Sequence, residues 1–182
     1  MAFLGLLRRG RYDRAGFGLY SAAVAAARDP YLYVTLGVPD TLDGRFDMIG
    51  LYAFLLIRRL QSLPEPGPAL AQAVFDAMFS DMDQNLREMG VSDLSVGKRV
   101  RTMWEALHGR AQAYESALVA GDRTGLEAAI ARNVWRGRSA PSGSAAALAA
   151  LTQSQAEYLE GQALDRFAAG RAAFLPAEEA SG

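Results

Sequence analysis

Apolar side chains recur along this chain at steps of three and four, and no stretch sustains alternation at steps of two. That period belongs to helices with one buried face, so the chain reads as all-α, a compact bundle of about six helices. The first helix is expected from about Asp13 to Arg28, stopped by Asp29-Pro30. A short irregular stretch, Tyr31 to Thr41, follows. Within it Pro39 holds Val38 extended, and Asp40, Thr41 or Asp43 can cap what comes next. The second helix, about Gly44 to Ser62, is apolar nearly all round, the mark of a central buried helix or a membrane span. Its apolar run from Met48 to Ile57 is about half the ~20 residues a bilayer crossing needs, and Asp47 and Arg58-Arg59 bound it. It is read as the central, almost wholly apolar helix of the bundle.

Pro64, Pro66 and Pro68 lead stiffly into a third helix, about Pro68 to Met89. Its apolar stripe contains Phe75, Met78, Phe79, Met82 and Leu86, and its other side carries Asp76, Asp81 and Asp83. Gly90 suits the stop. Ser92, Asp93 or Ser95 can cap a fourth helix running to about Ala120, with Val96, Val100, Met103, Trp104, Leu107, Ala111, Tyr114 and Leu118 as its inner stripe. Lys98, Arg99 and Arg101 lie near its start, where the helix dipole does not favour cations. An acidic neighbouring helix or a partner must tolerate them. A fifth helix, about Asp122 to Arg136, buries Leu126, Ile130 and Val134. Residues 137–143 read as a linker, and 144–182 as an Ala-rich helix reaching about Gly170 followed by a tail. One helical domain over residues 1–182, with an arm at 1–12, is the simplest organisation.

Composition narrows the chemistry. The 182 residues include no cysteine and one histidine, which removes disulfides, thiolate metal sites and thiol nucleophiles. A net charge of −1 gives no bulk attraction to nucleic acid, and the basic residues lack interleaved exposed aromatics. Glu105-Ala-Leu-His108 has the spacing of half a bundle di-iron site, but no second histidine can complete it, so His108 is expected at a helix–helix contact. Asp81-Met82-Asp83 opens like a calcium loop, yet Leu86 replaces the required glycine and Ser92 stands at the bidentate position. Gly16-Phe17-Gly18 has neither a preceding strand nor a following Gly-Lys-Ser/Thr. Ser95 and Lys98 lie three apart, but nothing supplies an oxyanion hole. The chain is read as a non-enzyme with no cofactor and no metal. At the start, Phe3, Leu4, Leu6 and Leu7 precede Arg8, Arg9 and Arg11, the wrong order for a secretory signal. The arm at 1–12 is either a strap on the bundle or a peripheral membrane contact.

Several segments together resemble the ubiquinol–cytochrome c chaperone family, assembly factors of the cytochrome bc1 complex. One is Ala27-Arg28-Asp29-Pro30 with Tyr33, then Gly37-Val38-Pro39-Asp40-Thr41 and Asp43-Gly44-Arg45-Phe46-Asp47, continuing through Leu51 and Leu55 to Arg59-Leu60. A more specific one is Phe79-Ser80-Asp81-Met82-Asp83, followed by Leu86-Arg87-Glu88-Met89-Gly90-Val91-Ser92-Asp93-Leu94-Ser95-Val96. Lys98-Arg99, Met103 and Gly109-Arg110 complete it, and Ala168-Ala169-Gly170 with Phe174 and Pro176 looks like the bacterial, alphaproteobacterial branch. The match covers most of the chain in order. Tyr52 departs from it, standing where the family is associated with histidine, which speaks against metal or proton chemistry there.

The resemblance implies a helical chaperone that binds newly made cytochrome b, in the bacterial cytoplasm or peripherally at the inner membrane. Mitochondrial members work with a small partner protein and near the ribosomal exit tunnel. Two groups of residues are candidates for partner contact. Phe75, Met78, Phe79 and Met82 form either core or an adaptable client surface. Asp81, Asp83, Arg87, Glu88, Asp93, Lys98, Arg99 and Arg101 form either a capping and ion-pair network at the hairpin turn or a partner contact.

Overall fold

The computed structural model describes residues 3–136 and 138–181, with side chains from residue 10 onward. Every regular element among them is helical: α1 Phe3–Ala27, α2 Pro30–Val34, α3 Leu42–Gln61, α4 Gly67–Glu88, α5 Asp93–Ala120, α6 Arg123–Val134, α7 Ser144–Glu160, α8 Leu164–Ala168 and α9 Ala177–Ala180. Six are long and three have four or five residues.

The caps explain most boundaries. Thr41 accepts from the Gly44 amide at 3.1 Å and starts α3, and Asp122 accepts from the Gly125 amide at 2.8 Å and starts α6. Each satisfies an amide that the first helical turn leaves unpaired. Asp29-Pro30 does end the first long helix, but it also begins another. The Asp29 carboxylate accepts from the Tyr31 amide at 2.9 Å, with Pro30 in the first helical position of α2. Its second oxygen accepts from the Ala177 amide at 3.0 Å, so one carboxylate joins α2 to the C-terminal α9.

Two boundaries differ from expectation. α1 begins at Phe3 instead of near Asp13, so the stretch read as a separate arm belongs to the first turns of that helix. The side chains of Phe3, Leu4, Leu6 and Leu7, on which a membrane contact was expected, lie outside the described residues. The C-terminal helix stops at Glu160 instead of continuing to Gly170. Beyond it the Gln162 side chain exchanges two hydrogen bonds with the Ala173 backbone, at 2.8 and 3.0 Å, and buried Gln155 does the same with Leu175, at 2.7 and 3.0 Å. These two amides hold an extended strap as a neighbouring strand would, satisfying backbone groups that helix no longer serves. Behind the strap, Tyr52 is fully buried, its ring edge-on to Phe174 at 5.2 Å. Burial pushes the phenol far above its ordinary pKa.

α3 packs against α1, α4, α5, α6 and α7, and from residue 46 to residue 60 none of its residues is exposed. α1 lies close on α4. A Cβ at Gly16 would come within 2.6 Å of Ala73, and one at Gly18 within 2.6 Å of the Gly170 carbonyl. The glycines that fail as a phosphate loop thus serve close backbone approach. Leu19, Leu32, Leu55, Leu70, Ile130, Leu148 and Phe167 belong to one continuous cluster drawing on the elements around α3. Each such side chain contributes roughly 1.5–3 kcal/mol on burial. No helix among the described residues is long and apolar enough to cross a membrane.

Candidate functional site

α5 has 28 residues and so runs for about 42 Å. Its two halves meet the rest of the molecule differently. Near the C-terminal end, Tyr114 is buried against Phe54, ring centroids 6.0 Å apart, and Arg110 reaches buried Asp47 of α3. Arg136, just beyond α6, also meets Asp47, at 3.0 Å, and Asp43 at 2.6 Å. Arg136 is the one non-glycine residue with positive φ among those described, at 49°. Its two carboxylate partners offset a backbone cost of about 1–2 kcal/mol. Burial pushes the Asp47 carboxyl above its ordinary range, and the guanidiniums of Arg110 and Arg136 pull it back only in part. This pin ties α3, α5 and the end of α6 together. Sequence reading noted Asp47 as the edge of an apolar run and within a family-like segment, without giving it a partner, and did not single out Arg136.

Beside these anchors, along residues 104–116, another face of α5 stands away from α3 and α4. The gap is an open cleft of about 1160 Å³. Gly50, Phe54 and Ile57 of α3 line it, with Phe75 and Met78 of α4 and Leu107 and Ala111 of α5. At Gly50 a Cβ would come to 2.6 Å from the tip of Leu107, so a larger side chain would crowd the wall. Trp104 and His108 stand at the rim, rings stacked at 5.2 Å and 12°. His108 is therefore an exposed rim residue stacked within its own helix, not a helix–helix contact. Trp104, expected inside, is 37% exposed. At the other end Arg58 donates to Glu115 at 2.7 Å and to Glu160 at 3.3 Å. Arg59 lines the same end and donates to the Glu160 and Gln162 carbonyls, so the cleft is polar at this end and apolar at the other. The apolar part can hold an apolar segment; among the lining residues nothing pairs a nucleophile with a base.

The candidate residues separate. Phe75 and Met78 line the cleft. Met78 and Met82 are buried, and Phe79 packs half-buried against the core, its ring 4.4 Å from that of Phe75. Asp81 accepts from the Tyr20 hydroxyl at 2.7 Å, joining α4 to α1. Burial, reinforced by that carboxylate, pushes the Tyr20 phenol far up. Arg87 engages both Asp83, at 2.6 Å, and Asp93, so it ties the end of α4 to the start of α5. Glu88 accepts from the Gln84 amide at 2.9 Å, and Arg101 donates to Glu105 at 3.0 Å. Lys98 and Arg99 are exposed and have no carboxylate partner among the described residues. Sequence reading missed the α3 wall, because Gly50, Phe54 and Ile57 share the signature of buried helix.

Comparison with known proteins gives a consistent neighbourhood. A family model described as Ubiquinol-cytochrome C chaperone matches residues 34–174. The ubiquinol-cytochrome-c reductase complex assembly factor 1 of Xenopus laevis is 23% identical over 136 residues, covering 74% of this chain and 68% of that protein. The mouse (Mus musculus) protein of the same name is 21% identical over 162 residues, covering 88% of this chain and 55% of the mouse protein. The crystal structure of the Cbp3 homolog from Brucella abortus superimposes with a TM-score of 0.83 at 32% identity, covering 97% of this chain and 98% of that one.

Proposed function

The chain belongs to the ubiquinol–cytochrome c chaperone family, and on that premise we propose that it binds newly made cytochrome b and promotes assembly of the bc1 complex. The family is one of assembly chaperones, and the proposed role is holding rather than catalysis. The observation that supports this reading is the cleft between α3, α4 and α5. A chaperone of a membrane protein must cover an apolar helix until its final neighbours arrive, and must release it afterwards. The cleft volume of about 1160 Å³ suits about two turns of a helix 10–12 Å across, and one end of it is lined by Phe54, Ile57, Phe75, Trp104 and Leu107, while the other carries Arg58, Arg59, Glu115 and Glu160. Phe75, Leu107 and Trp104 are the side chains assigned to the client.

The test is recovery of cytochrome b with the tagged chain from detergent extracts, read by immunoblot. Cells lacking the chain should hold less cytochrome b and less assembled bc1 complex. A carboxylate in the wall, Ala111→Glu, should abolish recovery while the far-UV circular dichroism stays helical. Unchanged cytochrome b in the deletion strain, or undiminished recovery with Ala111→Glu, would overturn the reading.

A further inference from the structure

The turn between α4 and α5 is the most exposed part of the described molecule. Leu94 is 97% exposed and Met89 52%, and both flank the turn formed around Gly90, whose φ is +81°. Such side chains gain nothing from the fold and lose free energy in water. One to two helical turns behind Leu94 stand Lys98 and Arg99. The carboxylates around them are already engaged: Asp83 and Asp93 by Arg87, Glu105 by Arg101, and Glu88 by the Gln84 amide. So Lys98 and Arg99 are not answered by an acidic neighbouring helix and stand exposed to an anionic partner.

We propose that the α4–α5 tip docks on an anionic phospholipid surface, with Leu94 and Met89 at the acyl boundary and Lys98 and Arg99 among the phosphates. The spacing fits. Lys98 and Arg99 lie four and five residues after Leu94, a rise of about 6–7.5 Å along the helix. The polar zone of each leaflet is about 5–8 Å deep. An apolar tip with cations set back by that distance is the arrangement of a peripheral membrane contact. A folded protein partner fits less well, because a standard interface needs about 800 Å² from each side and this tip presents two apolar side chains. Nucleic acid fits less well too, since residues 84–102 contain no aromatic on which a base could stack. Docked this way, the rim residue Trp104 stands about 15 Å along α5 from Leu94, which sets the cleft just outside the headgroups.

The experiment is flotation of the full chain with phosphatidylcholine vesicles, with and without phosphatidylglycerol, at low and high salt. The chain should float with the anionic vesicles at low salt and should be released by salt. Lys98→Gln with Arg99→Gln should weaken partitioning about 25-fold, at roughly fivefold for each cation near the surface. Leu94→Ser should weaken it about tenfold, in line with the loss of one buried aliphatic side chain. Equal flotation of these variants and the parent would overturn the proposal, as would equal binding to both vesicle types or no binding to either. Preference for RNA over vesicles would overturn it as well. Neither probe contains cytochrome b, so the result is independent of whether the cleft holds it.

Discussion

The two ends of α5 are built on opposite terms. Toward its C-terminus the charges that meet α3 are matched: Asp47 lies between Arg110 and Arg136, Arg58 meets Glu115, and Tyr114 is buried against Phe54. Toward its N-terminus only Val96 is buried in the first five turns, while Leu94, Lys98 and Arg99 face solvent without partners among the described residues. The cleft runs alongside residues 104–116, open, apolar at one end and charged at the other. The contrast separates what the fold needs from what it leaves over. A residue belongs to the scaffold when removing it strands a buried partner, and to a surface for others when removing it strands nothing.

The largest effect should therefore come at the pin. Asp47→Ala leaves the guanidiniums of Arg110 and Arg136 facing one another without their shared counter-charge. Breaking a buried pair in this way costs about 3 kcal/mol or more, a fall in Tm of roughly 6–12 °C for a chain of this length. Thermal melts followed by circular dichroism would show it. A Tm within a degree or so of the parent would mean that the pin is idle and that the contrast along α5 is not one of stability.

Asp81 lies between the extremes and can be assigned to one side. Tyr20→Phe removes the hydroxyl that it accepts from, and a hydrogen bond of this kind is worth about 1 kcal/mol. Asp81→Asn keeps the shape and should cost about the same or less. If Asp81 works for the scaffold, both variants lower the urea midpoint and leave cytochrome b recovery unchanged. Should Asp81→Asn instead reduce recovery at full stability, the carboxylate belongs with the partner surface.

How much of this was legible follows from what each signal depends on. The buried run of α3 and the starts of α3 and α6 are local features, set by residues within one helical turn, and they read from the chain, although three residues offered the α3 cap that Thr41 makes. α2 was not legible as a helix because five residues are too few to establish a period. The end of α7 depends on Gln155 and Gln162 reaching residues that are 20 and 11 positions away. Most opaque is the cleft. Val96, Val100, Met103, Leu107 and Ala111 keep steps of three and four whether α5 lies flush against α3 or stands off from it. Periodicity reports which face points inward, not how far away the next helix is. For the same reason Met82, in the core, and Phe75, in the cleft wall, looked alike.

The smallest effect is the most discriminating for the tip. Lys98 and Arg99 sit in the second turn of α5, where the helix dipole's disfavour of cations is weaker than in the first. With no carboxylate partner among the described residues, neither holds anything in place. Lys98→Gln with Arg99→Gln should thus leave stability unchanged or raise it by at most about 0.5 kcal/mol, and more at low salt than at high salt. The measurement is the urea midpoint of parent and variant in both salts. If the pair served the fold, the variant would be weaker and the deficit would shrink as salt screened the lost attraction. Neutral or higher stability, alongside lost binding to anionic vesicles, would show that these two charges do nothing for the chain that carries them and act only on what it meets.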